Sequence, residues 1–242
     1  MKRVGLLAMI VLLVGLLLPA AFPVQAQGPQ NMPNVSTDSG SWTYVGNAYW
    51  DAVNKYVVLT QPQNGQAGIV WLNHEITGPF EVQFRYKTGG GTGADGIVFM
   101  FYKTKLYVPG NGGYLAFQDN SYNPIPGYGI EFDTYYNGWD PSAKHIALIK
   151  DTVSNHLAYV NDARTGDYVW HQVRIIVDSN KVDVEVDGGQ VLTWQGRIDT
   201  TFGGMGFGAA TGDDNDWHII KDVRITPSSF RNFPYRTTYY LP

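Results

Sequence analysis

Apolar and polar residues alternate without a fault in Phe80-Glu81-Val82-Gln83-Phe84-Arg85-Tyr86-Lys87. A period of two puts successive side chains on opposite faces, so this run predicts a strand with one face on a core and one on solvent. Lys181 to Asp187 (KVDVEVD) repeats the pattern. Trp170 to Val177 precedes it across Asp178-Ser179-Asn180, and Asp187-Gly188-Gly189 leads on into Val191 to Trp194. Two successive hairpins are predicted there. Ile97 to Tyr102 (IVFMFY) has no polar position at the core, as a strand covered on both faces requires. No segment keeps a helical period beyond a turn or two, and no internal repeat is present, which argues against propellers and solenoids. The pattern predicts an all-β chain of two antiparallel sheets packed face to face as a jelly-roll sandwich.

The N-terminus follows a different rule. Lys2 and Arg3 precede an unbroken apolar run, Val4 to Leu18; Pro19 ends it, and Val24-Gln25-Ala26 supplies small residues at cleavage-type positions. This order predicts a secretory signal peptide over residues 1–26. A retained anchor is the alternative, for which the run is short. Residues 27–40 are polar with two prolines and read as a flexible leader carrying the sequon Asn34-Val35-Ser36. The sandwich is expected over 41–226, and residues 227–242, rich in Tyr and Pro, form a C-terminal extension. The expected location is secreted, extracellular or at the cell surface, with no membrane attachment after cleavage.

Composition narrows the function. Charged residues at 16% and aromatics at 14% exclude a disordered chain. With 17 Lys+Arg against 21 Asp+Glu, a net charge of −4, no basic excess exists to neutralise phosphates, so nucleic acid is not an expected partner. The absence of cysteine removes disulfides, thiolate metal sites and cysteine nucleophiles. Gly91-Thr92-Gly93-Ala94-Asp95-Gly96 matches the dinucleotide fingerprint letter for letter. Strand residues rather than a helix follow it, however, and Asp95 would face the phosphates. Gly110 to Gly113 (GNGG) reads as a plain loop.

Candidate chemistry concentrates in Gly127 to Asp151. On a strand, Glu131, Asp133 and Tyr135 point one way while Ile130, Phe132 and Thr134 point the other. Two carboxylates on one face lie roughly 6–7 Å apart at the backbone. No Lys or Arg stands between Lys105 and Lys144 to neutralise them. Asn137, Asp140 and His145 follow, giving three carboxylates, an amide and an imidazole within fifteen residues. Oxygen ligands suit calcium, and a set that adds an imidazole suits manganese or another divalent transition ion. The alternative on spacing alone is exposed strand carboxylates and a surface histidine. His74, His156, His171 and His218 receive no role.

The run EFDTYYN…DPS…H resembles the metal-binding signature of legume-type (L-type) lectins, whose fold is the concanavalin A-like sandwich. Ala94-Asp95-Gly96 with its apolar strand precedes it, as does a glycine loop expected to run into a strand (Gly112-Gly113-Tyr114-Leu115); GFGAATGDDNDWHII (Gly206 to Ile220) follows. The resemblance spans about Trp42 to Ile225 and is closest to exported prokaryotic members. It implies calcium held by Asp133, the Tyr135 carbonyl, Asn137 and Asp140. A second, manganese-like ion would be held by Glu131, Asp133, Asp140 and His145. It implies a carbohydrate site of Asp95, joined to Ala94 by a cis peptide bond, with Gly113, Tyr135 and Asn137. Gly212 and Asp213 would lie in the loop that sets sugar preference, where Thr211-Gly212-Asp213 resembles animal mannose-binding members. One departure from the plant pattern is that only Gly138 and Trp139 separate Asn137 from Asp140. The implied function is a metal-dependent lectin that binds glycans without cleaving them, displayed in several copies or as a homo-oligomer for useful avidity. Two alternatives remain. One is a glycoside hydrolase of the same fold, whose E-x-D-x-x-E motif would put its third carboxylate at Tyr136. The other is a structural surface-layer module with no sugar site.

Overall fold

The computed structural model describes residues 41–227 and 239–240. The signal peptide, the leader and most of the C-terminal extension expected from sequence lie outside the described residues.

Among the described residues the chain forms fifteen strands. In order they are β1 (Trp42–Gly46), β2 (Tyr49–Asp51), β3 (Tyr56–Thr60), β4 (Ala67–Leu72), β5 (Phe80–Gly89), β6 (Gly96–Tyr102), β7 (Gly127–Asp133) and β8 (His145–Lys150). They continue with β9 (Thr152–Asn161), β10 (His171–Asp178), β11 (Lys181–Val186), β12 (Gly189–Gln195), β13 (Gly204–Ala210), β14 (Trp217–Pro227) and β15 (Tyr239–Tyr240). One sheet runs β1-β4-β13-β6-β7-β8-β9. The other runs β12-β11-β10-β5-β14-β3-β2, with β15 added beside β14. All pairings are antiparallel. Among the described residues the only helical pieces are two short 3-10 turns, Gly112–Tyr114 and Ala163–Gly166.

Each strand follows from its pattern. β5 alternates buried and half-buried positions from Phe80 to Lys87, and its inward Phe80, Val82, Phe84 and Tyr86 enter the core between the sheets. There Phe84 meets Phe207 with ring centroids 4.8 Å apart and Phe132 at 5.9 Å, both edge-to-face, the arrangement that aromatic quadrupoles favour. β10, β11 and β12 are the two hairpins expected from sequence.

β6 is buried at every position because a second core covers the outer face of its sheet. Val98, Met100 and Tyr102 pack there with Ile69, Trp71, Ala147 and Ile149 beneath Leu115, Ala116 and Phe117. The covering segment is pinned by the Trp71 Nε1–H, which donates to the Leu106 carbonyl at 2.7 Å, and by the Tyr102 hydroxyl, which donates to the Phe117 carbonyl. This corrects one expectation. Gly112-Gly113-Tyr114-Leu115 does not run into a strand but makes a 3-10 turn, and Leu115 and Ala116 follow with φ of 54° and 56°. The turn brings Leu115, Ala116 and Phe117 down onto the second core.

Candidate functional site

β7 lies between β6 and β8, so its alternation is fixed from both sides. Ile130 and Phe132 enter the central core, and Glu131 and Asp133 take the opposite, outer face. The register sets Asp133 opposite His145 and Glu131 opposite Ala147. The exposed-carboxylate alternative is overturned: Glu131, Asp133 and His145 are 1%, 2% and 0% exposed. Tyr135, beyond the end of β7, is 40% exposed.

The cluster holds more negative charge than a dry site tolerates. Burial, followed by the Glu131 and Asp140 charges, pushes the Asp133 carboxyl well above the ordinary carboxylate range. Burial is also the main cause that pushes Asp140 up to about 6. No Lys or Arg pairs with these groups among the described residues; the neighbouring groups able to carry positive charge are the imidazoles of His145 and His156. The donor atoms of Asp133, Asp140 and His145 lie within 4.8 Å of one another, as do those of Glu131, His145 and His156.

The segment after β7 folds back on itself. Asp133 Oδ1 accepts from the Tyr135 N–H at 2.8 Å, and Asp140 Oδ2 accepts from the Asn137 N–H at 2.6 Å. The Asp140 N–H donates to the Asn137 carbonyl at 3.0 Å, so the two-residue spacer Gly138-Trp139 closes as a tight turn and still returns Asp140 to the cluster. Asn137 then sits against the 3-10 turn. A Cβ on Gly113 would lie 2.4 Å from Asn137 Oδ1, and only glycine permits that approach.

Asp95 closes the other side. Its peptide bond to Ala94 is cis. Its N–H donates to the Ala210 carbonyl at 3.1 Å, and its own carbonyl accepts from the Thr134 N–H at 2.8 Å and from the Thr134 hydroxyl at 2.8 Å. Burial, then Asp140, Asp214 and Asp213, pushes its carboxyl up to about 7. A Cβ on Gly212 would lie 3.4 Å from Asp95 Oδ2 and 3.3 Å from Gly112 Cα, so the 211–216 loop approaches both Asp95 and the 3-10 turn. Asp213 is exposed, whereas Asp216 is 2% exposed and accepts from the Gly91 N–H at 2.8 Å. The acidic turn is thus only partly solvated, and Asp216 braces the glycine loop that precedes Asp95.

Two buried acceptors, Asp95 Oδ2 and Asn137 Oδ1, have no hydrogen-bond partner. Unmatched buried acceptors are costly. Here they stand beside a carboxylate cluster that no Lys or Arg pairs with among the described residues. Oxygen-rich donors beside a mixed carboxylate–imidazole set fit divalent cations of two kinds.

Sequence reading missed His156. It lies on β9, and its Nε2 stands 2.9 Å from Glu131 Oε1, out of line for a hydrogen bond. Burial works against its charge, but the Glu131 carboxylate outweighs that and lifts the imidazole above its ordinary value. No local spacing pointed to it, because a shift in strand register brings it onto the face of Glu131. The other histidines lie elsewhere. His171 bridges Asp167 and Asp187, and His218 meets the Thr60 hydroxyl at 2.6 Å in the core.

Residues 21–186 match the family described as the Legume-like lectin family. Among relatives, the alpha-methyl-mannoside-specific lectin of Arachis hypogaea is 27% identical over 177 residues, covering 64% of this chain and 62% of that protein. The chain thus spans less than two thirds of that relative's length. A lectin of Onobrychis viciifolia is 28% identical over 214 residues, covering 77% of this chain and 87% of that one. Among solved structures, basic winged bean lectin with Tn-antigen superposes with a TM-score of 0.66 at 22% identity, covering 76% of this chain and 90% of the other. The VIP36 exoplasmic/lumenal domain in its Ca2+/Man3GlcNAc-bound form gives 0.67 at 20% identity, covering 81% and 89%. At these identities the structural likeness bears on the fold alone, which is the concanavalin A-like sandwich.

Proposed function

This chain belongs to the legume-like lectin family, and from that membership we propose that it is a secreted, calcium-dependent protein that grips glycans through the Asp95–Asn137 pocket without cleaving them. The family is one of carbohydrate-binding proteins rather than hydrolases. The third carboxylate of the hydrolase motif falls at Tyr136, an exposed tyrosine that offers no general acid of carboxylic type.

The observation that carries the reading is the pair of buried, partnerless acceptors, Asp95 Oδ2 and Asn137 Oδ1, set at the mouth of an acidic cluster. A sugar presents adjacent hydroxyls, each a donor and an acceptor. Asp95 accepts from such hydroxyls, the Asn137 side-chain amide donates, and the Gly113 backbone approaches closely because it carries no side chain. Gly212 and the exposed Asp213 border the pocket where a second sugar face would lie, and Tyr135 offers an aromatic surface at its rim.

Asp133, the Tyr135 carbonyl, Asn137 and Asp140 would hold calcium, and Glu131, Asp133, Asp140 and His145 a second divalent ion. The ions supply positive charge that keeps the carboxylates ionised and fixes Asn137 in place. Support for calcium comes from the donor set and from the VIP36 form solved with calcium and Man3GlcNAc. Support for export comes from the N-terminal pattern of Lys2, Arg3 and the apolar run and from family membership. A single shallow pocket binds weakly, so display in several copies would supply avidity.

The test is a glycan array probed with and without calcium. Binding to a subset of glycans that disappears on chelation and returns with calcium supports the reading. Binding unaffected by chelation, or release of reducing ends from a polysaccharide, overturns it.

A further inference from the structure

Two imidazoles converge on the same oxygen of Glu131. His145 Nδ1 lies 3.0 Å from the Ser142 carbonyl. A carbonyl only accepts, so that nitrogen carries the ring proton. His145 Nε2 faces Glu131 Oε1 at 2.9 Å. His156 repeats the arrangement from the next strand. Its ring hydrogen-bonds the Ser154 backbone, and its Nε2 stands 2.9 Å from the same Glu131 Oε1 with no hydrogen bond of its own. The rings meet edge to face with centroids 5.5 Å apart. Asp140 Oδ1 lies 3.9 Å from His156 Nε2.

Imidazoles tied through one nitrogen to a backbone carbonyl, with the other nitrogens converging on one carboxylate oxygen, are oriented as metal ligands usually are. In a tetrahedral site, ligand atoms about 2.1 Å from one ion sit about 3.4 Å apart, so the 2.9 Å contacts would open by about 0.5 Å to admit the ion. A single-imidazole, carboxylate-rich set suits manganese, whereas a second imidazole moves the preference toward zinc and its neighbours.

We propose that His156, with Glu131 and His145, makes a two-imidazole transition-metal site whose preferred ion is zinc-like rather than manganese-like. The inference shares its carboxylates with the function proposed above but concerns the ion's identity, not the glycan. His156 enters as a direct ligand on β9, the outermost strand of its sheet. Its side chain is 11% exposed, which leaves an edge from which the ion could load.

The test uses the full chain, stripped with chelator and held in saturating calcium, then titrated with zinc chloride or manganese chloride in a calorimeter. Zinc binds more tightly than manganese at most nitrogen–oxygen sites, so the informative quantity is the change in their ratio. His156→Ala is expected to weaken zinc by at least about 10-fold while changing manganese by less than about 3-fold. Equal losses for both ions, an unchanged zinc affinity, or no zinc binding by the wild type overturns the proposal. Should the variant not fold, the wild type loaded with cobalt(II) gives a second readout. Its proton NMR spectrum is expected to show one strongly shifted exchangeable ring proton from each imidazole, and a signal from a single imidazole overturns the proposal. Calcium-dependent glycan binding of the wild type without zinc is scored separately, so failure of the lectin reading is distinguishable from failure of this one.

Discussion

Asp95 is tied into the fold by its backbone, through Ala210 and Thr134, and its carboxyl feels the charges of Asp140, Asp214 and Asp213. Asp95→Ala is therefore expected to fold, and to lose glycan binding by more than about 10-fold in an array or calorimeter, a loss of over ~1.4 kcal/mol. The same charge sets a pH dependence. With its folded value at about 7 against an ordinary 3.8, metal-free Asp95 contributes stability fully below pH 4 and loses it as the pH rises through 7. His218, held down at about 3 by burial, works the other way, losing stability as the pH falls below 6.5. Comparing the wild type with Asp95→Asn cancels the histidine. In chelator the variant should melt higher at pH 8, and the gap should close toward pH 4; a gap of constant size would contradict the assignment. Gly113→Ala tests the opposite wall. Its methyl would meet the Asn137 amide at 2.4–2.7 Å, so glycan affinity should fall by at least about 10-fold with little change in melting. Of these residues, Glu131, Asp133, Asn137, Asp140 and His145 were legible because they crowd one short run. The missing cations around them are also a sequence fact. His156 was not legible, since its partner Glu131 is distant along the chain.

At the scale of the strand, legibility followed coverage. β5 could be read from its alternation because one of its faces packs and the other meets solvent. Phe84 sits at its centre between Phe132 and Phe207, so Phe84→Ala should cost about 3–5 kcal/mol in denaturant unfolding. β6 and β7 are buried throughout, which hides which face is which until their neighbours are known. β9 illustrates the limit best. Pairing runs Asn161 with His145, Tyr159 with Ala147 and Ala158 with Leu148, then shifts so that His156 meets Ile149. The extra residue, Leu157, turns His156 toward the outer face, where Ile149 packs. A period of two carried straight from Tyr159 places His156 on the wrong face. Irregularities of this kind have no signature in an apolar–polar pattern.

For the molecule as a whole, the proposed cations carry a prediction about stability. Chelation is expected to lower the melting temperature, and calcium at about 100 times its dissociation constant to restore about 2.7 kcal/mol; calorimetric melting with and without calcium measures both. Unchanged melting would mean that protons alone neutralise Asp133 and Asp140. The sequence by itself determined the all-β sandwich, its hairpins and the run of metal-type donors, because those depend on periodicity and on residues close together in the chain. Tertiary structure alone decided that Gly113 meets Asn137 and Gly212 approaches Asp95, that the Gly112–Tyr114 segment leads into the cap of a second core, and that His156 joins Glu131. These depend on the register between strands and on loops meeting from distant parts of the chain, which the order of residues along one strand does not encode.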